Sequence, residues 1–126
     1  MGIIYVNLQL SNPAHPTALP VNVTAIVDTG AITLCIPEHI AIQLKLEETE
    51  QREVTTADTK SYLVSYMGPI KINYLGRTCY TGALVLGDTV LMGAIPLEDM
   101  DLVISPRENS VTVNPKSPNI PSVIVK

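Results

Sequence analysis

Between Gly2 and Leu10 the chain alternates, with Ile4, Val6, Leu8 and Leu10 apolar and Tyr5, Asn7 and Gln9 between them. Period two is the mark of a half-buried strand. The Pro-rich stretch Ser11 to Pro20 predicts a loop, and Val21 to Val27 a second strand that Asp28-Thr29-Gly30 interrupts. Ile32 to Ile36 predicts a third, apolar strand stopped by Pro37. Pro37 to Leu46 is the best helix candidate: Pro suits a first turn, Glu38 suits the positive N-terminal end, and Ile40 and Leu44 share a face, although Ile36 is a poor N-cap. Arg52 to Thr56 and Ser61 to Tyr66 predict a hairpin with the polar tip Ala57-Asp58-Thr59-Lys60. Pro69 to Tyr74 and Thr78 to Leu86 predict another, turning near Leu75-Gly76-Arg77. After the turn Gly87-Asp88-Thr89 come the apolar run Val90-Leu91-Met92, Gly93, and a short helix candidate over Ile95 to Met100. Leu102 to Ser105 and Ser110 to Asn114 read as short strands, Pro115, Pro118 and Pro121 bracket a loop, and Val123-Ile124-Val125 closes the chain.

Composition sharpens this into a class. Val, Ile and Thr make nearly a third of the residues, and their branched side chains favour strands. Phe and Trp are absent, so the core must be aliphatic. The expectation is an all-β protein with one or two short helices, a single domain over residues 1–126 in which 115–126 is a tail or a further strand. The net charge is −4 and Lys and Arg are scattered, which argues against a nucleic-acid partner. No apolar run reaches the length of a membrane helix, so no membrane partner is expected. The start lacks signal-peptide and myristoylation features. Cys35 and Cys79 have no metal-ligand spacing and read as buried, reduced thiols. A cytoplasmic location, no metal and no cofactor are therefore expected. His15 and His39 read as surface histidines with no triad partners.

One carboxylate is unusual. Asp28 follows the apolar strand Val23 to Val27 and precedes Thr29 and Gly30. A carboxylate after a buried strand is costly unless it is hydrogen-bonded or has chemistry to perform. Gly30 permits a tight turn and close approach, and the Thr29 hydroxyl can tie the loop. Taken alone, the triplet is better accounted for by a strand ending in an Asx-type turn.

The surroundings of the triplet resemble the retropepsin-like aspartic protease family (clan AA), particularly its small single-lobed microbial members. The resemblance spans roughly Ile3 to Asn114. Asp28-Thr29-Gly30-Ala31 is followed by the apolar strand, Pro37 and the helix candidate, as in that family. Val90-Leu91-Met92-Gly93, leading into a short helix about 63 residues after Gly30, resembles its second signature. Gly82 to Asp88 is also similar to the family. The fold this implies is a single-lobe acid-protease barrel. By the same resemblance Asp28 matches the catalytic aspartate, Thr29 the residue whose hydroxyl cross-links two such loops, and Gly30 completes the loop. Gly93 matches the glycine that lets the second apolar strand pass behind it; read alone, it also suits an ordinary strand-to-helix turn.

Aspartic-protease chemistry needs two carboxylates sharing a proton. Asp58, Asp88, Asp99 and Asp101 lie in no such loop, and a second lobe does not fit in 126 residues. The resemblance thus implies a homodimer with one Asp28 from each copy, the strands Ile3 to Leu10 and Val123 to Val125 being candidates for an intersubunit sheet. It also implies a peptide or protein substrate held extended beneath the hairpin Val54 to Val64, contacting Ala57, Asp58 and Thr59 on one side and Ala31, Ile32 and Leu91 on the other. Ile32, Val85 and Leu91 fit apolar subsites or the core. The chain departs from the family at the hairpin tip, where Thr59 stands in place of Gly and tolerates positive φ poorly. Asp58 and Lys60 fit solvated turn residues as well. The function expected is an aspartic endopeptidase; the alternative is a non-catalytic dimeric module that binds peptides or mediates assembly.

Overall fold

The computed structural model describes residues 2–125. Its elements in chain order are β1 (Tyr5–Ser11), β2 (Val21–Val27), β3 (Leu34–Ile36), α1 (Glu38–Gln43), β4 (Glu47–Thr55), β5 (Ser61–Tyr74), β6 (Arg77–Val85), β7 (Val90–Met92), α2 (Ala94–Asp99), β8 (Leu102–Ser105) and β9 (Ser110–Val113), with a 3₁₀ turn at Pro106–Glu108. The main sheet runs β1-β2-β7-β3-β6-β5-β4, and a further pairing of β1 with β5 closes six of its strands into a barrel. β4 is left as an edge strand that forms a long hairpin with β5. The all-β reading with two short helices is therefore correct.

The alternation in the first strand places Ile4, Val6, Leu8 and Leu10 inside the barrel, each at most 5% exposed. They meet Leu34, Ile36, Leu44, Ile70, Ile72, Met92 and Met100 in an aliphatic core. Each such side chain contributes about 1.5–3 kcal/mol by leaving water. Cys35 and Cys79 are buried and free, as expected. Burial, then Asp99, pushes the Cys79 thiol up to about 12.

Several boundaries differ from the sequence expectations. The helix ends at Gln43 rather than Leu46, because Lys45 adopts φ +54° and the buried Asn12 side chain donates to the Leu44 (2.9 Å) and Lys45 (3.2 Å) carbonyl oxygens. A side chain from the Pro-rich loop thus satisfies carbonyls that the helix leaves open. Pro37 is the N-cap rather than a first-turn residue. The two predicted hairpins share one 14-residue strand, β5, whose pairing with β6 shifts between Met67 and Ile70, around Pro69. Leu75 and Gly76, both at positive φ, make the turn to β6. Ile3 to Leu10, a candidate for an intersubunit sheet, falls largely in β1, which pairs with β2 over Tyr5–Leu10 and with β5 through Gln9–Ser11. Val123–Val125 is exposed and forms no strand.

The segment after β9 is fastened by Asp101. Its carboxylate accepts from Asn114 Nδ2 (3.0 Å), the Ser117 hydroxyl and the Ser122 backbone N–H (2.9 Å), with the buried Arg77 guanidinium 3.8 Å away. Arg77 also donates to the Met100, Asp101 and Ser117 carbonyl oxygens. The Ser117 bond first, then those from Asn114 and Ser122, lower the Asp101 pKa from 3.8 to about 2. A lowered folded-state pKa means a contribution present above the unfolded value and lost as pH falls through the folded one. Residues 114–122 are thus expected to loosen between about pH 4 and pH 2. Asp101→Asn is expected to loosen them at neutral pH, and faster trypsin cleavage after Lys116 reports it.

Candidate active site

β2 delivers Asp28 to a loop that β7 and α2 hold from behind. β7 lies between β2 and β3, parallel to the first (Ile26 opposite Leu91) and antiparallel to the second (Cys35 opposite Leu91). The Asp28 N–H donates to the Met92 carbonyl oxygen (3.0 Å), Gly93 N–H to Thr33 O (3.1 Å), Ala94 N–H to Ala31 O (2.9 Å) and Ile95 N–H to Ile32 O (2.8 Å). This row of backbone bonds fixes residues 28–33 against the strand behind them. It also explains why β3 begins at Leu34 and not at Ile32, since Ala31, Ile32 and Thr33 spend their carbonyls on the β7–α2 junction.

Gly93 is required by space. Its φ of −86° suits any residue, but a Cβ there would lie 2.5 Å from Thr33 O and 2.6 Å from Ala31 O, both backbone atoms. This is a closer approach than an ordinary strand-to-helix turn demands.

Within the loop, Asp28 Oδ1 accepts the Gly30 N–H at 2.9 Å, and the Asp28 carbonyl oxygen accepts that of Ala31 at 3.1 Å. Asp28, Thr29 and Gly30 are exposed. The loop is thus an Asx turn that engages Oδ1, and among the described residues Asp28 Oδ2 has no hydrogen-bond partner. Burial and then the Asp28 charge push up the Cys35 thiol, which stays protonated and neutral at pH 7. Ala31 and Leu91 are half-buried beside the loop, and Ile32 is 70% exposed. Val85 instead lines a groove between α1 and β5. His15 and His39 take no part in the loop's hydrogen bonds. Among the described residues, no group of three or more His, Cys, Asp or Glu is placed to hold a metal ion, and no helix is long and apolar enough to cross a membrane.

The other half of the candidate site is the β4–β5 hairpin. Thr59 N–H donates to Thr56 O and Thr56 N–H to Lys60 O, both at 2.9 Å. Thr59 adopts φ +65°, so the tip keeps the backbone that favours Gly although Thr occupies it. This is the three-residue hairpin loop in which a turn is followed by a left-handed residue. Side chains brace it: the Thr56 hydroxyl donates to Asp58 Oδ1, and the Thr59 hydroxyl to Asp58 O (2.6 Å). The Thr56 bond first, then the Lys60 N–H, hold the Asp58 carboxyl below its usual range. Ala57, Asp58 and Thr59 are all exposed, and among the described residues no hydrogen bond joins them to the Asp28 loop. A left-handed non-glycine costs about 1–2 kcal/mol, against about 0.5–1 kcal/mol for the extra chain entropy of Gly. Thr59→Gly is therefore expected to stabilise the protein by up to about 1 kcal/mol, read as a higher urea midpoint.

The hairpin stem carries an anchor that the sequence reading did not single out. The Tyr66 ring lies on Gly82, where a Cβ would come within 2.4 Å of the ring. Its hydroxyl accepts the Gly82 N–H (3.1 Å), and the Arg52 guanidinium stacks 3.7 Å above it. The available signal was Gly82 itself, an isolated glycine inside a strand pattern, which marks a close approach.

No protein-family model matches the chain, and no curated protein does. Solved structures do. The chain is similar to the retroviral protease-like domain of Ddi1 from Leishmania major (TM-score 0.61, 16% identity, 91% of this chain and 90% of that one). It is similar also to the EIAV protease in complex with the inhibitor HBY-793 (TM-score 0.56, 18% identity, 78% and 88%). A retropepsin-like aspartic protease from Rickettsia conorii aligns with TM-score 0.53 and 18% identity over 82% and 77%. With β7 passing behind the Asp28 loop and a hairpin reaching out from a closed six-strand barrel, these likenesses show that the chain has the retropepsin-like fold.

Proposed function

We propose that the chain is an aspartic endopeptidase that works as a homodimer, with one Asp28 from each copy. The observation that carries this is the Asp28 loop: an exposed carboxylate on a backbone that β7 and α2 fix from behind, with one oxygen engaged by Gly30. Fixed carboxylates brought together from two copies would share one proton. The ionised one takes a proton from water, whose oxygen attacks the scissile carbonyl carbon, while the protonated one donates to the carbonyl oxygen. Collapse of the tetrahedral intermediate breaks the C–N bond and passes a proton to the leaving amine. In this reading Thr29 ties the two loops together, and Gly30 keeps the turn open to substrate. Ala31, Ile32 and Leu91 contact the peptide from below, and Ala57, Asp58 and Thr59 from the hairpin.

A second reading, a dimeric module that binds extended peptides without cutting them, is favoured by the tip, which Thr59 and Asp58 brace with their own side chains. Incubation of the purified protein with a diverse peptide library from acidic to neutral pH separates the two. The enzyme yields cleavage that a transition-state aspartic-protease inhibitor removes. Binding without cleavage at any pH supports the module.

A further inference from the structure

We propose that the groove between α1 and the β4–β5 hairpin is a docking site for a cationic, aliphatic peptide segment of a partner protein. Glu38, Ala41 and Ile42 line one wall, at the spacing that shares a helix face. α1 buries Ile40 and Ala41 against the core, while Ile42 is left 68% exposed over the groove. The opposite wall is β5, where Leu63, Ser65 and Met67 alternate onto one face and Leu63 is 71% exposed. Two large aliphatic side chains thus flank a groove of about 470 Å³ with nothing packed between them.

Charge selects the occupant. Among the described residues, the charged side chains lining the groove are Glu38 and Glu48. The Ser65 hydroxyl donates to Glu48 and keeps that carboxylate along the wall. Glu53, opposite Leu63 in the register and so on the same face, extends the negative edge of β4. The cation on that strand, Arg52, is taken up by Glu50 (3.0 Å) and the Tyr66 ring. A negative rim around an apolar floor repels acidic segments and attracts Lys or Arg. Three alternate positions on β5 span about 13 Å, room for about four extended residues. The fitting ligand presents aliphatic side chains over that length with Lys or Arg on both flanks. Because α1 is seated in the barrel core while β4 and β5 form the hairpin, a ligand touching both walls ties the hairpin to the barrel. That consequence rests on the hairpin acting as a flap; the binding does not.

Fluorescence anisotropy with the labelled peptide Lys-Lys-Leu-Val-Leu-Lys-Lys tests the site, using Asp28→Asn protein so that cleavage does not intervene. Saturable, salt-sensitive binding is expected. Ile42→Ser with Leu63→Ser, and separately Glu38→Gln with Glu48→Gln, should each weaken it at least about tenfold, and the peptide with Glu for every Lys should not bind. Absence of binding, binding unchanged in both double variants, or displacement by an inhibitor directed at the Asp28 loop would overturn the proposal. The last result would assign the peptide to the substrate cleft instead.

Discussion

Asp28→Asn is expected to lower kcat/KM for a cleaved peptide by at least about 1,000-fold, within the range that a positioned acid or base contributes, while unfolding at nearly the same temperature. Asn keeps the shape of Asp and retains an oxygen that can accept the Gly30 N–H, so the turn survives. The residue is exposed, and substitutions at such positions usually move stability by less than about 0.5 kcal/mol. What is lost is the ionisable group. A mixing experiment then addresses the two-copy mechanism. If each active unit needs an Asp28 from both partners, adding an equal amount of Asp28→Asn protein and allowing subunits to exchange should reduce the wild-type activity to about half, because mixed pairs are inactive. Activity unchanged by the mixing, or undiminished at concentrations where the protein sediments as a monomer, would rule out a shared site.

The parts of the fold legible in the sequence were those governed by short-range pattern. Val21–Val27 and Val90–Met92 fall where their β-branched and apolar runs predict, and Ile4, Val6, Leu8 and Leu10 all point inward. The order of the Asp28 loop and Gly93 along the chain was legible too, through resemblance. Features set by distant partners were not. Nothing near Leu44 announces that Asn12, 32 residues earlier, will take its carbonyl and help end the helix. Nothing local shows that Ile32 will leave its strand because its carbonyl serves Ile95. The Asp101 cluster was invisible for the same reason: its ligands come from Asn114, Ser117 and Ser122, in a segment that reads only as a proline-punctuated loop. At the hairpin tip, the sequence marked Thr59 as a residue that tolerates positive φ poorly, yet the surrounding turn holds it at φ +65°.

Gly93→Ala is expected to be the most damaging single-methyl change in the chain. Most added methyls meet side chains that can rotate away. Here the new Cβ would come within 2.5 Å of Thr33 O, 2.6 Å of Ala31 O and 2.8 Å of the Ile32 carbonyl carbon, so the clash is with backbone along one continuous stretch. Relief requires β7 and the Asp28 loop to move apart. That movement stretches the Gly93-to-Thr33 and Ala94-to-Ala31 hydrogen bonds, each contributing roughly 1 kcal/mol. Added to an overpacking cost of about 1–3 kcal/mol, the loss should reach about 3 kcal/mol or more, a fall in Tm of roughly 10–15 °C for a domain of this size. Gly76→Ala is the matched control. It forces a residue with Cβ to φ +77° but meets no atom within 4 Å, and should cost only about 1 kcal/mol. Hydrogen exchange locates the damage: in Gly93→Ala the Asp28 and Gly93 amides should lose protection before those of β1, whereas Gly76→Ala should leave both protected. Equal destabilisation by the two substitutions would mean that β7 does not press on the loop, and the rigid placement of Asp28 on which the proposed chemistry depends would lose its support.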